Sequence, residues 1–349
     1  MSIHHSFISA TIKSLAVLML LAVCSSAFAE DMKGGWEQIT VHGKSLEGNL
    51  EGNTPDRTVF VYLPPSYKSD TSKRYPVLYN LHGYTVTAQM WGAFLKWPGE
   101  LDRAFADSSN REMIVVMPDA MTLHAGSMYS DSVTTGFWEQ FVTQDLVAYI
   151  DANYRTLAKR ESRGIAGHSM GGYGTMRLGM KFPEVYSVMY ALSSCCMAPR
   201  TYNEGFGGQS TTNIEDVKTA EQAKTAGMGV RSTLAVASAW SPNPNNPPLY
   251  LDLPVKNGEV QDLVIAKWAA NAPLTMVHQY VPNLRKYHAI GLEIGLQDGG
   301  LKDSQDMDKI LTDYKIEHTF ETYEGTHTSN IAERYISKVI PFFSKNLVF

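Results

Sequence analysis

Short apolar runs alternate with amphipathic stretches along most of this chain of 349 residues. The runs are short and strongly apolar, as buried strands are. In several stretches between them, apolar residues recur every three or four positions, which indicates helices that pack by one face. Strands that alternate with helices predict a mostly parallel sheet and the α/β fold class. The predicted strands are 36–42, 57–63, 75–81, 113–117, 163–166, 186–192, 289–294 and 319–323, the first two as antiparallel edge strands.

Helices are predicted at about 90–106, 137–153 and 169–181, after Asp303, and from Ile331 towards the end of the chain. The alternation breaks down between Pro199 and Pro273, where a stretch rich in Gly, Thr and Asn precedes a proline-rich run and an apolar helix. We interpret the segment of about 199–273 as an inserted cap on the rim where the strand ends gather.

An export signal is predicted at residues 1–29. Lys13 precedes the apolar run Ser14 to Val23, and Ala27-Phe28-Ala29 forms a cleavage site of small residues. The run is too short for a membrane span, which needs about 20 apolar residues. The mature protein is therefore predicted to be secreted or periplasmic, with a lipid anchor on Cys24 as the less favoured alternative.

Composition excludes several classes of partner. Removal of Lys13 with the signal leaves 29 basic against 35 acidic groups, a net charge of −6. Without a basic cluster, nothing favours nucleic acid or an anionic membrane surface. A hydrophobic fraction of 44% is ample for one large core, so residues 30–349 are predicted to form a single domain.

Gly167-His168-Ser169-Met170-Gly171 fits the Gly-x-Ser-x-Gly nucleophile elbow, in which a serine lies on a sharp turn between a buried strand and a helix. The predicted strand 163–166 and helix 169–181 supply that context. Chance matches to this motif are common, and a tight strand-to-helix turn is the alternative. We predict that Ser169 is a nucleophile.

A serine nucleophile requires a histidine base, which follows it in this architecture. Four histidines follow Ser169, and His327 lies in the loop between the last predicted strand and the terminal helix. We predict His327 as the base. Asp298 and Asp303 compete as the acid, because both follow strand 289–294; we prefer Asp298, since an N-cap duty accounts for Asp303.

Two main-chain amides are predicted to bind the oxyanion. One belongs to Met170, which follows the nucleophile, and the other to Tyr84, which follows Gly83 at the end of strand 75–81. Aromatic residues near the expected strand ends, Tyr84, Trp91 and Trp240, are candidates to bind substrate, although aromatic rings are as often core.

These residues resemble the esterase D and feruloyl esterase-like branch of the α/β-hydrolases, which also contains S-formylglutathione hydrolases and mycolyltransferases. The resemblance covers about 57–347 and rests on motifs that include Leu81-His82-Gly83, Trp138-Glu139-Gln140-Phe141 and Gly325-Thr326-His327. It implies an α/β-hydrolase fold with helices on both faces of the sheet. It also implies the roles chosen above for Ser169, His327, Asp298 and the two amides.

The resulting prediction is an exported serine carboxylic ester hydrolase that forms an acyl-enzyme. Its substrate is a small-molecule or polysaccharide-linked ester, with aryl or feruloyl esters favoured. An envelope acyltransferase, a short-chain deacylase and a thioesterase similar to S-formylglutathione hydrolase remain alternatives. Cys195 and Cys196 are predicted to be reduced thiols, with a strained bridge between these neighbours as the alternative. We predict no metal and no cofactor.

Overall fold

A computed structural model describes residues 33–200 and 210–349. The predicted signal, residues 1–29 with Cys24, lies outside this part of the chain. Among the described residues, eight strands form the central sheet: β1 (Gly35–His42), β2 (Asp56–Leu63), β3 (Val77–Leu81), β4 (Ile114–Pro118), β5 (Arg163–His168), β6 (Val188–Leu192), β7 (Ala289–Gly295) and β8 (Thr319–Tyr323).

The strands lie in the order β1-β2-β4-β3-β5-β6-β7-β8. β2 runs antiparallel to both β1 and β4, and all other neighbours are parallel. The predicted mostly parallel sheet is confirmed. β1 is an edge strand as predicted, but β2 is not, because β4 pairs with its other side.

Helices cover both faces of this sheet. They are α1 (Ser66–Ser69), α2 (Ala88–Phe94), α3 (Gly99–Ala106), α4 (138–153), α5 (Met170–Lys181), α6 (Ala220–Thr225), α7 (Met228–Trp240), α8 (Asp262–Ala270), α9 (Pro273–Leu284), α10 (Leu301–Asp313) and α11 (331–346). One π turn interrupts each of α4 and α11, at Phe141–Asp145 and Tyr335–Val339. Short 3₁₀ turns lie at Lys44–Leu46, Arg160–Ser162 and Ile214–Asp216.

Successive residues of the central strands point into different cores, because side chains alternate across a sheet. In β3, Val77 and Tyr79 belong to the core beneath α5 and α9, whereas Leu78 belongs to the core beneath α3 and α11. Both faces are apolar, so the strands read as continuous hydrophobic runs, which is typical of a parallel sheet that is covered on both sides.

The predicted helix 90–106 is wrong as one element, because the structure divides it into α2 and α3. Lys96 between them has a φ of +56°, which no helix accommodates, and Pro98 follows with no amide hydrogen to donate. The predicted N-cap role of Asp303 is also wrong. Gly300 occupies the N-cap position of α10, and Asp303 lies in the first turn of that helix.

The described part of the predicted insertion carries α6, α7 and α8 together with a two-stranded ribbon, Val255–Lys256 and Glu259–Val260. Its large side chains join the core beneath α5: Trp240 packs against Tyr173 with ring centroids 5.4 Å apart, and Trp268 is 2% exposed. Hydrophobic burial therefore attaches this segment to the core beneath α5.

Candidate active site

The turn between β5 and α5 carries Ser169 in a strained backbone conformation, with φ of +59° and ψ of −116°. Glycines on either side make room for it. A Cβ atom on Gly171 would lie 2.0 Å from the Leu81 carbonyl oxygen, and one on Gly167 would lie 2.4 Å from the Gly171 carbonyl group. The strand, the turn and the helix can approach so closely only because both positions lack a side chain.

The structure brings together the three residues predicted to act as nucleophile, base and acid. Ser169 Oγ lies 2.9 Å from His327 Nε2, and His327 Nδ1 lies 2.8 Å from Asp298 Oδ2. Since a carboxylate only accepts hydrogen bonds, Nδ1 carries the proton of the neutral imidazole and Nε2 accepts from the serine hydroxyl. This is the arrangement in which the imidazole can take the serine proton.

The His327 imidazole and the Asp298 carboxylate differ in their exposure to solvent. The His327 side chain is 42% exposed, whereas the Asp298 side chain is 5% exposed. Burial by itself raises the pKa of the Asp298 carboxyl, but hydrogen bonds from His327 and from the Gly300 amide lower it more, and its net pKa is below the usual range. Asp298 therefore stays ionised beside the imidazole.

Asp298 and His327 lie in adjacent loops, after β7 and β8, that bind each other directly. The main-chain N–H of Gln297 donates to the Gly325 carbonyl at 2.9 Å, and the side-chain Oε1 of Gln297 accepts from the main-chain N–H of Gly325 at 2.7 Å. The close approach requires Gly295, where a Cβ atom would lie 2.2 Å from the Gly325 carbonyl oxygen. Sequence reasoning missed Gln297, because its partner is set by strand pairing.

Beneath these loops, a buried ion pair joins β7 to α11. Glu293 accepts two hydrogen bonds from the Arg334 guanidinium, at 2.8 and 3.2 Å, and a third from the Tyr190 hydroxyl at 2.6 Å. Glu293 precedes the acid loop in sequence, and Arg334 follows the base loop. The pair thus joins the strand that leads into the Asp298 loop to the helix that follows the His327 loop.

The Gly83–Tyr84 peptide lies beside the nucleophile, because a Cβ atom on Gly83 would be 3.5 Å from Ser169 Cβ. His82, which is fully buried, fixes this peptide: its Nε2 accepts from the Ala120 amide and its Nδ1 donates to the Gly83 carbonyl, both at 2.8 Å. The Tyr84 amide belongs to the same peptide plane. Sequence reasoning set His82 aside because it precedes the serine.

The Tyr84 side chain is linked to a buried histidine, His124, which lies next to a buried acid, Glu51. The Tyr84 hydroxyl donates to the His124 carbonyl at 2.8 Å, and His124 Nε2 lies 3.4 Å from Glu51 Oε1. Burial raises the pKa of Glu51 to about 7; burial and the nearby Arg231 lower the pKa of His124 to about 4. The proton of this pair therefore resides on the carboxyl group at weakly acidic pH.

Two of the rings predicted to bind substrate lie in the core. Trp91 and Trp240 are each 4% exposed. Trp91 stacks on His168 and donates to Asn80, and Trp240 donates to the Ser130 hydroxyl. Since little of either ring faces solvent, neither ring is available to contact a substrate. Tyr84 is half-buried and stays a candidate to bind substrate.

Both described cysteines, Cys195 and Cys196, are free thiols. The Cys195 amide donates to the Ser169 carbonyl at 3.1 Å, so this segment supports the elbow. Among the described residues, no group of three or more His, Cys, Asp or Glu side chains could hold a metal ion. None of the described helices is both long enough and apolar enough to cross a membrane.

Comparison with known proteins identifies the family. The Esterase family model, described as "Putative esterase", matches residues 53–331, which is most of the chain. The chain belongs to this esterase family. Its resemblance to the esterase D and feruloyl esterase-like branch is confirmed.

Individual relatives match only part of this chain, at modest sequence identity. An esterase of Mycobacterium tuberculosis is 35% identical over 153 residues, which cover 43% of this chain and 30% of the relative. An endo-1,4-beta-xylanase/feruloyl esterase of Xylanibacter ruminicola is 27% identical over 225 residues, 61% of this chain and 30% of the relative. This esterase thus spans less than a third of each relative's length.

Solved structures support the fold. A ferulic acid esterase superposes with a TM-score of 0.64 at 22% sequence identity, covering 90% of this chain and 99% of that one. This likeness confirms the α/β-hydrolase fold with helices on both faces of a mostly parallel sheet.

Proposed function

We propose that this esterase is exported and hydrolyses its substrate through an acyl-enzyme intermediate on Ser169. The observation that carries the proposal is the continuous hydrogen-bonded series Ser169 Oγ, His327, Asp298, with distances of 2.9 and 2.8 Å. His327 takes the serine proton as Oγ attacks the ester carbonyl, and ionised Asp298 stabilises the imidazolium that forms. The alcohol leaves with the proton from His327, and water then attacks the acyl-enzyme in the same way.

The amides of Met170 and Tyr84 are the proposed donors to the oxyanion. Met170 is the first residue of α5, where the amides of a helix point outward and the helix dipole is positive. The Gly83–Tyr84 peptide lies beside the serine and is held by His82. Two preorganised donors of this kind stabilise the charge of the tetrahedral intermediate.

For the substrate we propose an aryl or feruloyl ester, or an ester linked to a carbohydrate. The name of the Xylanibacter relative, a xylanase joined to a feruloyl esterase, supports this class. An exposed imidazole at the rim suits an ester group that projects from a larger molecule. Comparison of kcat/KM among 4-nitrophenyl acetate, butyrate and ferulate tests the acyl class, and a steady preference for acetate would exclude an aromatic acyl group.

A fluorophosphonate probe tests the chemistry itself. The protein should be labelled at one site, and Ser169→Ala should abolish labelling while lowering kcat by on the order of 10⁴-fold or more, because the three residues act as a unit. The thermal unfolding temperature of the variant controls for folding. Labelling that persists in Ser169→Ala would refute the assignment.

A further inference from the structure

The residue before the nucleophile contacts the base, although the two are 159 positions apart in the chain. His168 Nε2 lies 2.7 Å from the main-chain carbonyl oxygen of His327. Because a carbonyl oxygen only accepts hydrogen bonds, Nε2 carries the proton of the His168 ring and donates it. The two imidazole rings are also in contact, with centroids 4.9 Å apart and planes inclined at 46°.

A second set of contacts also holds the His168 ring. The Trp91 indole stacks on it with centroids 5.5 Å apart and an angle of 15°. Trp91 Nε1 donates to Asn80 Oδ1 at 3.3 Å, and the same oxygen accepts from the Tyr335 hydroxyl at 3.0 Å. Tyr335 belongs to α11, which follows the base loop, so Asn80 links this helix to the Trp91 ring that stacks on His168.

Burial determines the charge of His168. The residue is 4% exposed, and burial, followed by the nearby His327, lowers the pKa of its imidazole to about 4. The ring therefore stays neutral when His327 becomes an imidazolium, and no second positive charge opposes that step.

We propose that His168 is a positioning residue, whose Nε2–H donor and stacked ring hold the His327 loop at the distance at which its imidazole reaches Ser169 Oγ. The inference rests on the proposed role of His327 as base. Within the described chain, the bond between the His327 and Ser169 side chains also reaches the elbow, and the other hydrogen bonds of the base loop join it to itself, to the acid loop and to the start of α11. The His168 donor therefore links the main chain of the base loop to the elbow. Misplacement of a catalytic group by about 1 Å costs on the order of 100-fold in rate.

The test compares two substitutions of the same length and shape. His168→Gln retains an N–H donor at a reach similar to that of Nε2, and His168→Met fills similar space without a donor. His168→Met should lower kcat about 10- to 100-fold with KM changed less than about threefold, and His168→Gln should restore kcat to within about fivefold of the original protein. The downfield proton resonance of His327 Nδ1–H should shift or broaden in His168→Met and recover in His168→Gln.

Tyr186→Phe is the matched control. It removes another buried bond from a side chain to a main-chain carbonyl, that from the Tyr186 hydroxyl to Val142 at 3.1 Å, at the other end of the sheet. It should lower the free energy of unfolding and leave kcat unchanged. If His168→Met does not fold, His168→Ala replaces it.

Either of two outcomes would overturn the inference: a kcat within about threefold of the original in the variant without a donor, or equal losses in the Gln and Met variants. The proposed function fails separately, if Ser169→Ala remains active. A protein that loses activity in Ser169→Ala and keeps it in His168→Met refutes only the role of His168.

Discussion

Gln297 Oε1 accepts a hydrogen bond of 2.7 Å from the main-chain amide of Gly325, so the side chain next to the proposed acid holds the loop of the proposed base. The Gln297 Nε2 also donates to Glu324 at 2.9 Å. Together with the 2.9 Å bond between the two main chains, these contacts set the separation of the Asp298 and His327 loops.

We expect Gln297→Ala to lower kcat about 10-fold, because the imidazole would sample positions away from Ser169. The substrate KM should change little, since Gln297 does not contact the serine. Gln261→Ala, which removes a partly exposed glutamine of the insertion, is the control and should leave both constants unchanged. Steady-state kinetics measures kcat and KM of the two variants. Equal kcat values for the two would show that Gln297 does not help to position His327.

The two aspartates that follow β7 should differ in the effect that their replacement by asparagine has on kcat. Asp298→Asn should lower kcat by roughly 10⁴, because an amide in place of the carboxylate mis-sets the His327 tautomer. Asp303→Asn should retain most of the activity, since Asp303 lies in the first turn of α10 and has no hydrogen bond to the imidazole. A large loss in Asp303→Asn alone would move the acid to that residue.

Arg334→Met should cost about 3–5 kcal/mol in the free energy of unfolding, because it leaves Glu293 buried without its countercharge. Lys338→Met is the matched control. Arg334 and Lys338 both pair with Glu321, but Lys338 is 41% exposed, so its loss should cost less than about 1 kcal/mol. Denaturant unfolding measures both. Similar costs for the two variants would mean that the Glu293 pair adds nothing beyond a surface contact.

The opposite pKa shifts of Glu51 and His124 should cancel in the pH dependence of the free energy of unfolding. Between about pH 4.5 and 6.5, the folded pair holds one proton on Glu51, and the unfolded chain holds one on the histidine. Equal proton counts give no slope of stability with pH. His124→Asn leaves only Glu51, whose pKa is raised on folding, so the free energy of unfolding should fall by on the order of 3 kcal/mol as the pH rises from about 4.5 to 7.

Glu51→Gln should have the opposite slope, because the unfolded chain then binds the extra proton on His124 and stability rises from about pH 4 to 6.5. Urea unfolding of the three proteins at pH 4.5, 5.5 and 6.5 measures these slopes. Curves that run parallel for all three would show that neither group changes its proton affinity on folding.

The features that could be predicted from the sequence are those that depend on neighbours in the chain. Alternating apolar runs predicted all eight strands to within two residues at each end. The elbow at Ser169 and the loops of Asp298 and His327 were located from glycines and strand ends. Periodicity, turn chemistry and chain order are local properties, so a single sequence carries them.

Contacts between residues far apart in the chain could not be predicted in this way, because they depend on the packing of the whole fold. His82 and His168 carry no sequence signal for the carbonyl groups they bind, and the partner of His168 is 159 residues away. The burial of Trp91 and Trp240, against an expectation of exposed pocket walls, likewise depends on what packs over them. The break between α2 and α3 follows a left-handed residue, Lys96, whose type gives no warning of its backbone conformation. Hydrogen bonding and burial are satisfied in three dimensions, and the sheet order that brings these residues together is a property of the whole chain.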